Sequence, residues 1–248
     1  MSDLNLVFDI GANNGDDAAA YLDHHCKVVA VEANPDLCAE MRERFSAEIA
    51  SGQLVLVDRA ISRRRKVKLY INSSDHQWGT ILPSYAEQGR KLRGEINTVE
   101  VETTTVIDLI REHGVPQRMK IDIEGVDYLC LLDLFDSDLP THLSIERPRA
   151  LNDQMFVLGL LRRLGYRRFA FVDQGDQLHG TGGLFIDDVP PRAWRGPTAA
   201  KATTVALFGQ RAAFGIMRRT PGLRAHAPRA RWFDIHAERT SLSTVSIH

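Results

Sequence analysis

Two short stretches hold the residues best suited to chemistry. Residues 7–16 read Val-Phe-Asp-Ile-Gly-Ala-Asn-Asn-Gly-Asp, which puts Asp9 two positions before Gly11 and Gly15 four beyond it. Residues 120–124 read Lys-Ile-Asp-Ile-Glu, and Glu146 closes a later apolar run. Glycines at a strand-to-helix turn let the backbone take a positive φ and approach a ligand closely, and the helix start behind them offers unpaired N–H groups. Carboxylates at the ends of neighbouring strands meet at one rim of an open α/β sheet, where ligands bind. Such a cluster suits a general base, or a hard divalent cation, although no metal is predicted. Asp122 or Glu124 is the candidate base and Glu146 the group that orients substrate. Lys120 lies two residues before Asp122 and so shares its strand face, where it can pair with a carboxylate.

The spacing of the first stretch bears on what it holds. A dinucleotide turn reads G-x-G-x-x-G, but here Asn13 stands where the second glycine would be. Asp9 would repel a pyrophosphate and would tolerate a cofactor with a cationic amino-acid tail, as in S-adenosylmethionine, lying near its ammonium or sulfonium. Glu32 ends the apolar run from Lys27 and follows Gly15 by 17 residues, a spacing that suits a carboxylate binding ribose hydroxyls. NAD uses the same feature, so Glu32 does not discriminate between the two. In the polar stretch 72–97, His76 is a second candidate base and Trp78 a candidate apolar wall for the acceptor, with Lys120 also on the substrate side.

The elements that must position these residues are legible as periodicity. Apolar runs over 4–10, 27–33, 54–57, 119–123 and 143–146 read as buried strands. Helical patterns follow from Asp16, from Asn34-Pro35 with Leu37, Met41, Phe45 and Ile49 on one face, from Thr105 to a stop at Gly114, from Val126, and from Leu151 to Gly165. Residues 67–71 and 99–103 alternate apolar and polar, like an added edge pair. Residues 169–172 and 183–186 are expected to form a closing antiparallel pair. Strands alternating with helices imply a doubly wound α/β fold with a mostly parallel sheet.

Length and composition allow one α/β domain with an appendage: 248 residues, 44% hydrophobic and 25% charged. Net charge is −1, unevenly spread. From Arg192 onward there are 10 Lys/Arg against 2 Asp/Glu. The expected division is a domain over 1–189 and a basic, partly helical extension over 190–248, with a helix over 204–217. The extension is a candidate dimer surface. A nucleic-acid partner is disfavoured, because the arginines are scattered rather than interleaved with aromatics. Three cysteines without metal-like spacing, no leader pattern and no long apolar run lead to the expectation of a cytoplasmic protein without a membrane span.

These pieces together resemble the FkbM family of S-adenosylmethionine-dependent methyltransferases. The matching segments are FDIGANNGDD (8–17), VVAVEANP (28–35), RAIS (59–62), WGT (78–80), TTTVIDLI (103–110), KIDIEGVDYLCL (120–131) and LSIE (143–146). The resemblance spans about residues 5–186. It implies a Rossmann-like class I methyltransferase sheet, with S-adenosylmethionine as cofactor and S-adenosylhomocysteine as product. It also implies methyl transfer, most often to a hydroxyl of a natural product or of a sugar or glycolipid. Carried over by position, Asp9, Gly11, Ala12, Asn13 and Gly15 form the cofactor loop, Glu32 with Ala33 and Asn34 binds ribose, and Arg59 and Ala60 lie beside the adenine. Asp122 sits between cofactor and acceptor. A nicotinamide-dependent oxidoreductase and a non-catalytic binding module on the same scaffold are the competing readings.

Overall fold

A computed structural model describes residues 5–75, 78–146, 148, 151–173 and 233–239. It divides into two compact units, 1–140 and 141–248. The first unit runs β1 (Leu6–Ile10), α1 (Asp16–Asp23), β2 (Lys27–Glu32), α2 (Pro35–Arg44), α3 (Ser46–Ser51) and β3 (Leu54–Asp58). It continues through β4 (Ala60–Ile61), β5 (Lys66–Asn72), β6 (Gly79–Thr80), α4 (Pro83–Arg93) and β7 (Ile96–Thr104). It ends with α5 (Val106–His113), β8 (Arg118–Ile121), α6 (Tyr128–Asp133) and a 3-10 turn, Leu134–Asp136.

Strands β3, β2, β1 and β8 pair in that order, all parallel. A parallel strand covered on both faces must be apolar throughout, and Val28, Val29 and Ala30 of β2 and Val7, Phe8 and Ile10 of β1 are wholly buried. The exception is Asp9, a buried carboxylate in the middle of the sheet, registered between Ala30 of β2 and Lys120 of β8. Loops at the carboxyl ends of these strands form the rim on which the candidate chemistry sits.

The alternating segments form the expected edge pair. β5 and β7 run antiparallel in a second sheet of order β4-β7-β5-β6, and the polar stretch between them contains α4. The face that unites Leu37, Met41, Phe45 and Ile49 is divided between two helices. Phe45 leaves helical geometry at φ −111°, ψ 29°, so that α2 ends before it and α3 starts after it. Asn34 caps α2 as its sequence suggests, its side chain accepting from the Asp36 N–H.

The second unit contains β9 (His142–Glu146), α7 (Leu151–Arg163), β10 (Arg168–Asp173) and β11 (Phe233–Glu238), with antiparallel order β9-β11-β10. Among the described residues the partner of β10 is one the sequence did not single out. The described partner of β10 is β11, from within the basic extension. Residues 183–186 and the helix expected over 204–217 lie outside the described residues. Phe-Asp-Ile-His-Ala-Glu over 233–238 alternates apolar and polar, and Ile235 and Ala237 are buried. All three cysteines are buried free thiols, and no helix among the described residues is long and apolar enough to cross a membrane.

Candidate active site

The glycine turn is locked by its neighbours. The N–H groups of Gly11 and Ala12 both donate to the Val31 carbonyl, at 2.9 and 3.0 Å, which pins the loop to the end of β2. Gly11 has φ +83°, and a Cβ there would stand 1.8 Å from the Asp122 carbonyl oxygen. Backbone following β8 therefore occupies the space any side chain would need. Asn13 also has a positive φ, +54°, and its N–H donates to Glu32 Oε2 at 2.8 Å.

Glu32 organises the opposite wall. Its Oε1 accepts from the N–H groups of Ala33 and Asn34, both at 2.8 Å. Burial raises its pKa, and the backbone N–H groups of Asn34, Asn13 and Ala33 act against that rise. A carboxylate offers about four acceptor positions. Three are filled by backbone, which leaves one on Oε2 for a hydroxyl donor.

These walls enclose a cleft within the first unit. Gly11, Asn13, Glu32, Ala33, Asn34, Arg59, Ala60, Asp122 and Glu124 line it, all of them expected from the sequence. The rest of the lining is mostly apolar: Val31, Leu37, Ile61, Leu69, Ile81, Ile123 and Val126, with Gly79 and Thr80. Periodicity shows these residues to be apolar but not which void they face, so sequence reading assigned them no role.

Among the described residues of the first unit, five expected site residues do not line the cleft. Ala12 is buried within the loop, and Gly15 packs where a Cβ would stand 2.5 Å from the Phe45 ring. Trp78, expected as an apolar wall for the acceptor, does not line this cleft and is buried, its ring against Gly89 of α4. Asp9 and Lys120 belong to a buried charge cluster instead. Lys120 Nζ lies 2.8 Å from Asp17 Oδ2, 3.6 Å from Asp122 Oδ2 and 3.9 Å from Asp9 Oδ1. Burial pushes the Asp9 carboxyl up to about 7, with Lys120 opposing and Asp17, Asp122 and Glu32 reinforcing the rise. Lys120 is held charged despite its burial by Asp122, Asp9 and Asp17.

The carboxylates gathered in this unit are thus Asp9, Asp17 and Asp122, with an ammonium at their centre. Among the described residues, no group of three or more His, Cys, Asp or Glu is placed to hold a metal ion. Glu146 ends β9 in the second unit, opposite Asp234 in register. His76 lies outside the described residues.

Glu124 stands on a strained turn. Its φ is +48°, an uncommon value for a residue with a side chain, and Gly125 follows at +91°. Thr80 Oγ1 donates to the Glu124 carbonyl at 2.8 Å and accepts from the Leu82 N–H at 3.2 Å. The Asp127 carboxylate accepts from the Ile123 N–H at 3.0 Å, and burial lifts that carboxyl to about 6. Thr80, Asp127 and Asp17 escaped the sequence reading. All three fall inside matching segments, WGT, KIDIEGVDYLCL and FDIGANNGDD, which was the available signal.

Comparison with known proteins settles the family. Residues 9–168 match the family model described as "Methyltransferase FkbM domain". The chain belongs to the FkbM methyltransferase family. Its cofactor is therefore S-adenosylmethionine, which resolves the choice the glycine turn and Glu32 left open. No curated protein matches the chain. Among solved structures it is similar to precorrin-6y C5,15-methyltransferase from Geobacter metallireducens, at 12% identity and TM-score 0.43, over 97% of this chain and 82% of that one. It is similar to StiE O-MT residues 961–1257 at 10% identity and TM-score 0.47, over 98% and 70%. A third is a SAM-dependent methyltransferase from Geobacter sulfurreducens in complex with S-adenosyl-L-homocysteine, at 11% and 0.41, over 97% and 86%.

The FkbM cleft fits its cofactor in donor set and polarity. The open acceptor position on Glu32 suits a ribose hydroxyl, the apolar residues suit the adenine ring, and Asp122 and Glu124 suit a cationic sulfur and its amino-acid tail.

Proposed function

We propose that the protein methylates a hydroxyl group on a natural product or on a sugar or glycolipid, with Asp122 or Glu124 as the base. The observation that carries this reading is the presence of both carboxylates in the same cleft as Gly11, Asn13 and Glu32. S-adenosylmethionine supplies an electrophilic methyl group on a sulfonium. Glu32 holds a ribose hydroxyl, and Arg59 and Ala60 flank the base. The turn 122–125 presents the carboxylates to the acceptor, and the one nearer its hydroxyl takes the proton as the oxygen becomes nucleophilic. Alignment of the reacting atoms can account for roughly 7–11 kcal/mol of barrier lowering, and a positioned base for about 10²–10⁴-fold.

The test incubates the full chain with S-adenosylmethionine and panels of hydroxylated, amine and nucleic-acid acceptors, and follows S-adenosylhomocysteine release. Hydroxylated acceptors should be methylated, with a loss of about 10²-fold or more in Asp122→Asn or Glu124→Gln. Methylation confined to amines or nucleic acid, or full turnover in both variants, would refute it.

A further inference from the structure

A single ammonium faces three carboxylates at the back of the cleft. Lys120 spends its one contact of hydrogen-bond length on Asp17, which is about a third exposed on α1 and does not line the cleft. Asp122, which does line the cleft, is left with the ammonium at 3.6 Å. Asp9 is wholly buried, and neither of its carboxylate oxygens has a hydrogen-bond partner. The groups that face Asp9 are Lys120 from β8, Asp122 beyond it, Asp17 and Tyr21 from α1, and Glu32 from the end of β2. Of these, Lys120 alone is cationic. The cleft lining repeats the imbalance, with Glu32, Asp122 and Glu124 against Arg59 among the described residues.

We propose that this deficit of positive charge makes the cleft discriminate by the charge of the cofactor's sulfur. Asp122, which Asp17 keeps from full neutralisation by drawing Lys120 away, favours the sulfonium form over the thioether that remains after methyl transfer. The inference rests on the cofactor reading given above. Preference for the charged form does not speed the chemical step, because the charge fades toward the transition state. It acts on turnover, by letting fresh S-adenosylmethionine displace S-adenosylhomocysteine, whose own affinity it leaves nearly unchanged. Lys120 and Asp17 are then positioning residues for Asp122.

Calorimetric titration of the full chain at low salt tests this with three probes. These are S-adenosylmethionine, S-adenosylhomocysteine and sinefungin, which carries an amine in place of the methylated sulfur. The two cationic compounds should bind about tenfold more tightly than S-adenosylhomocysteine, a ratio that shrinks as salt screens the charge. In Asp17→Asn, a nearly isosteric change at a partly exposed position, checked by its melting temperature, Lys120 is released toward Asp122. The ratio should fall to about twofold with the affinity for S-adenosylhomocysteine nearly unchanged, and Asp122→Asn should lower the same ratio. Equal or tighter binding of S-adenosylhomocysteine by the wild type, or a ratio that survives both variants, overturns the proposal and leaves the cofactor reading intact. Failure of all three compounds to bind overturns both.

Discussion

Replacing Glu32 by glutamine removes one charge and changes one oxygen into an NH2 group, with almost no change of shape. The carboxylate accepts three backbone N–H groups, two on Oε1 and one on Oε2. The amide turns to keep its oxygen on the Ala33 and Asn34 N–H groups, which directs its NH2 at the Asn13 N–H, donor against donor. One charge-assisted hydrogen bond, worth about 1.5–3 kcal/mol, is lost, and the remaining two weaken. A net destabilisation of about 2–4 kcal/mol is expected, measurable as a shift of the urea midpoint at unchanged slope. The cofactor suffers as well, because the position left on Oε2 for a ribose hydroxyl becomes a donor and Asn13 is no longer anchored. S-adenosylhomocysteine affinity should fall about 10- to 100-fold by calorimetry. Wild-type stability together with wild-type affinity in Glu32→Gln would refute the account of this wall.

Gly11→Ala should abolish cofactor binding and destabilise the fold by more than the roughly 1–2 kcal/mol that a left-handed side chain costs. Its Cβ would meet the Asp122 carbonyl at 1.8 Å, and circular dichroism with calorimetry reads both effects. Thr80→Val leaves the Glu124 carbonyl and the Leu82 N–H without their partner. It should cost about 1–3 kcal/mol in chemical denaturation, with Thr80→Ser restoring most of the loss. Stability should also depend on pH through Asp9. Its folded pKa of about 7 lies above the ordinary aspartate value of 3.8, so the folded state holds a proton the unfolded chain gives up between these values. Stability therefore falls as pH rises from about 4 through 7, and Asp127, raised to about 6, adds to the slope. Melting temperatures of Asp9→Asn measured over this range should be flatter than those of the wild type, and parallel curves would contradict the assignment.

The readable parts of the site are those fixed by local chemistry. The glycine turn, the carboxylate ending β2 and the Asn34 cap are each determined by neighbours in sequence, and each stands where the pattern puts it. Asp9 and Lys120 show where this reading stops. Both were visible as polar residues in apolar strands, but their pairing depends on β1 lying beside β8 and on α1 bringing Asp17 onto Lys120. Nothing within a few residues of Lys120 encodes that geometry. Trp78 stands in a long polar stretch, which does not reveal that its ring beds against Gly89 of α4. β11 shows the same limit at the scale of topology. Its alternating pattern was present in the sequence, but a strand pairing across about sixty residues cannot be inferred from turn chemistry.

A crystal structure of the full chain with S-adenosylhomocysteine tests the central claim most directly. The account predicts the ligand in the cleft of the first unit, with a ribose hydroxyl on Glu32 Oε2, the adenine against Arg59 and Ala60, and the homocysteine end toward Gly11 and Asp122. A ligand bound elsewhere, or a cleft left empty at saturating ligand, would contradict it.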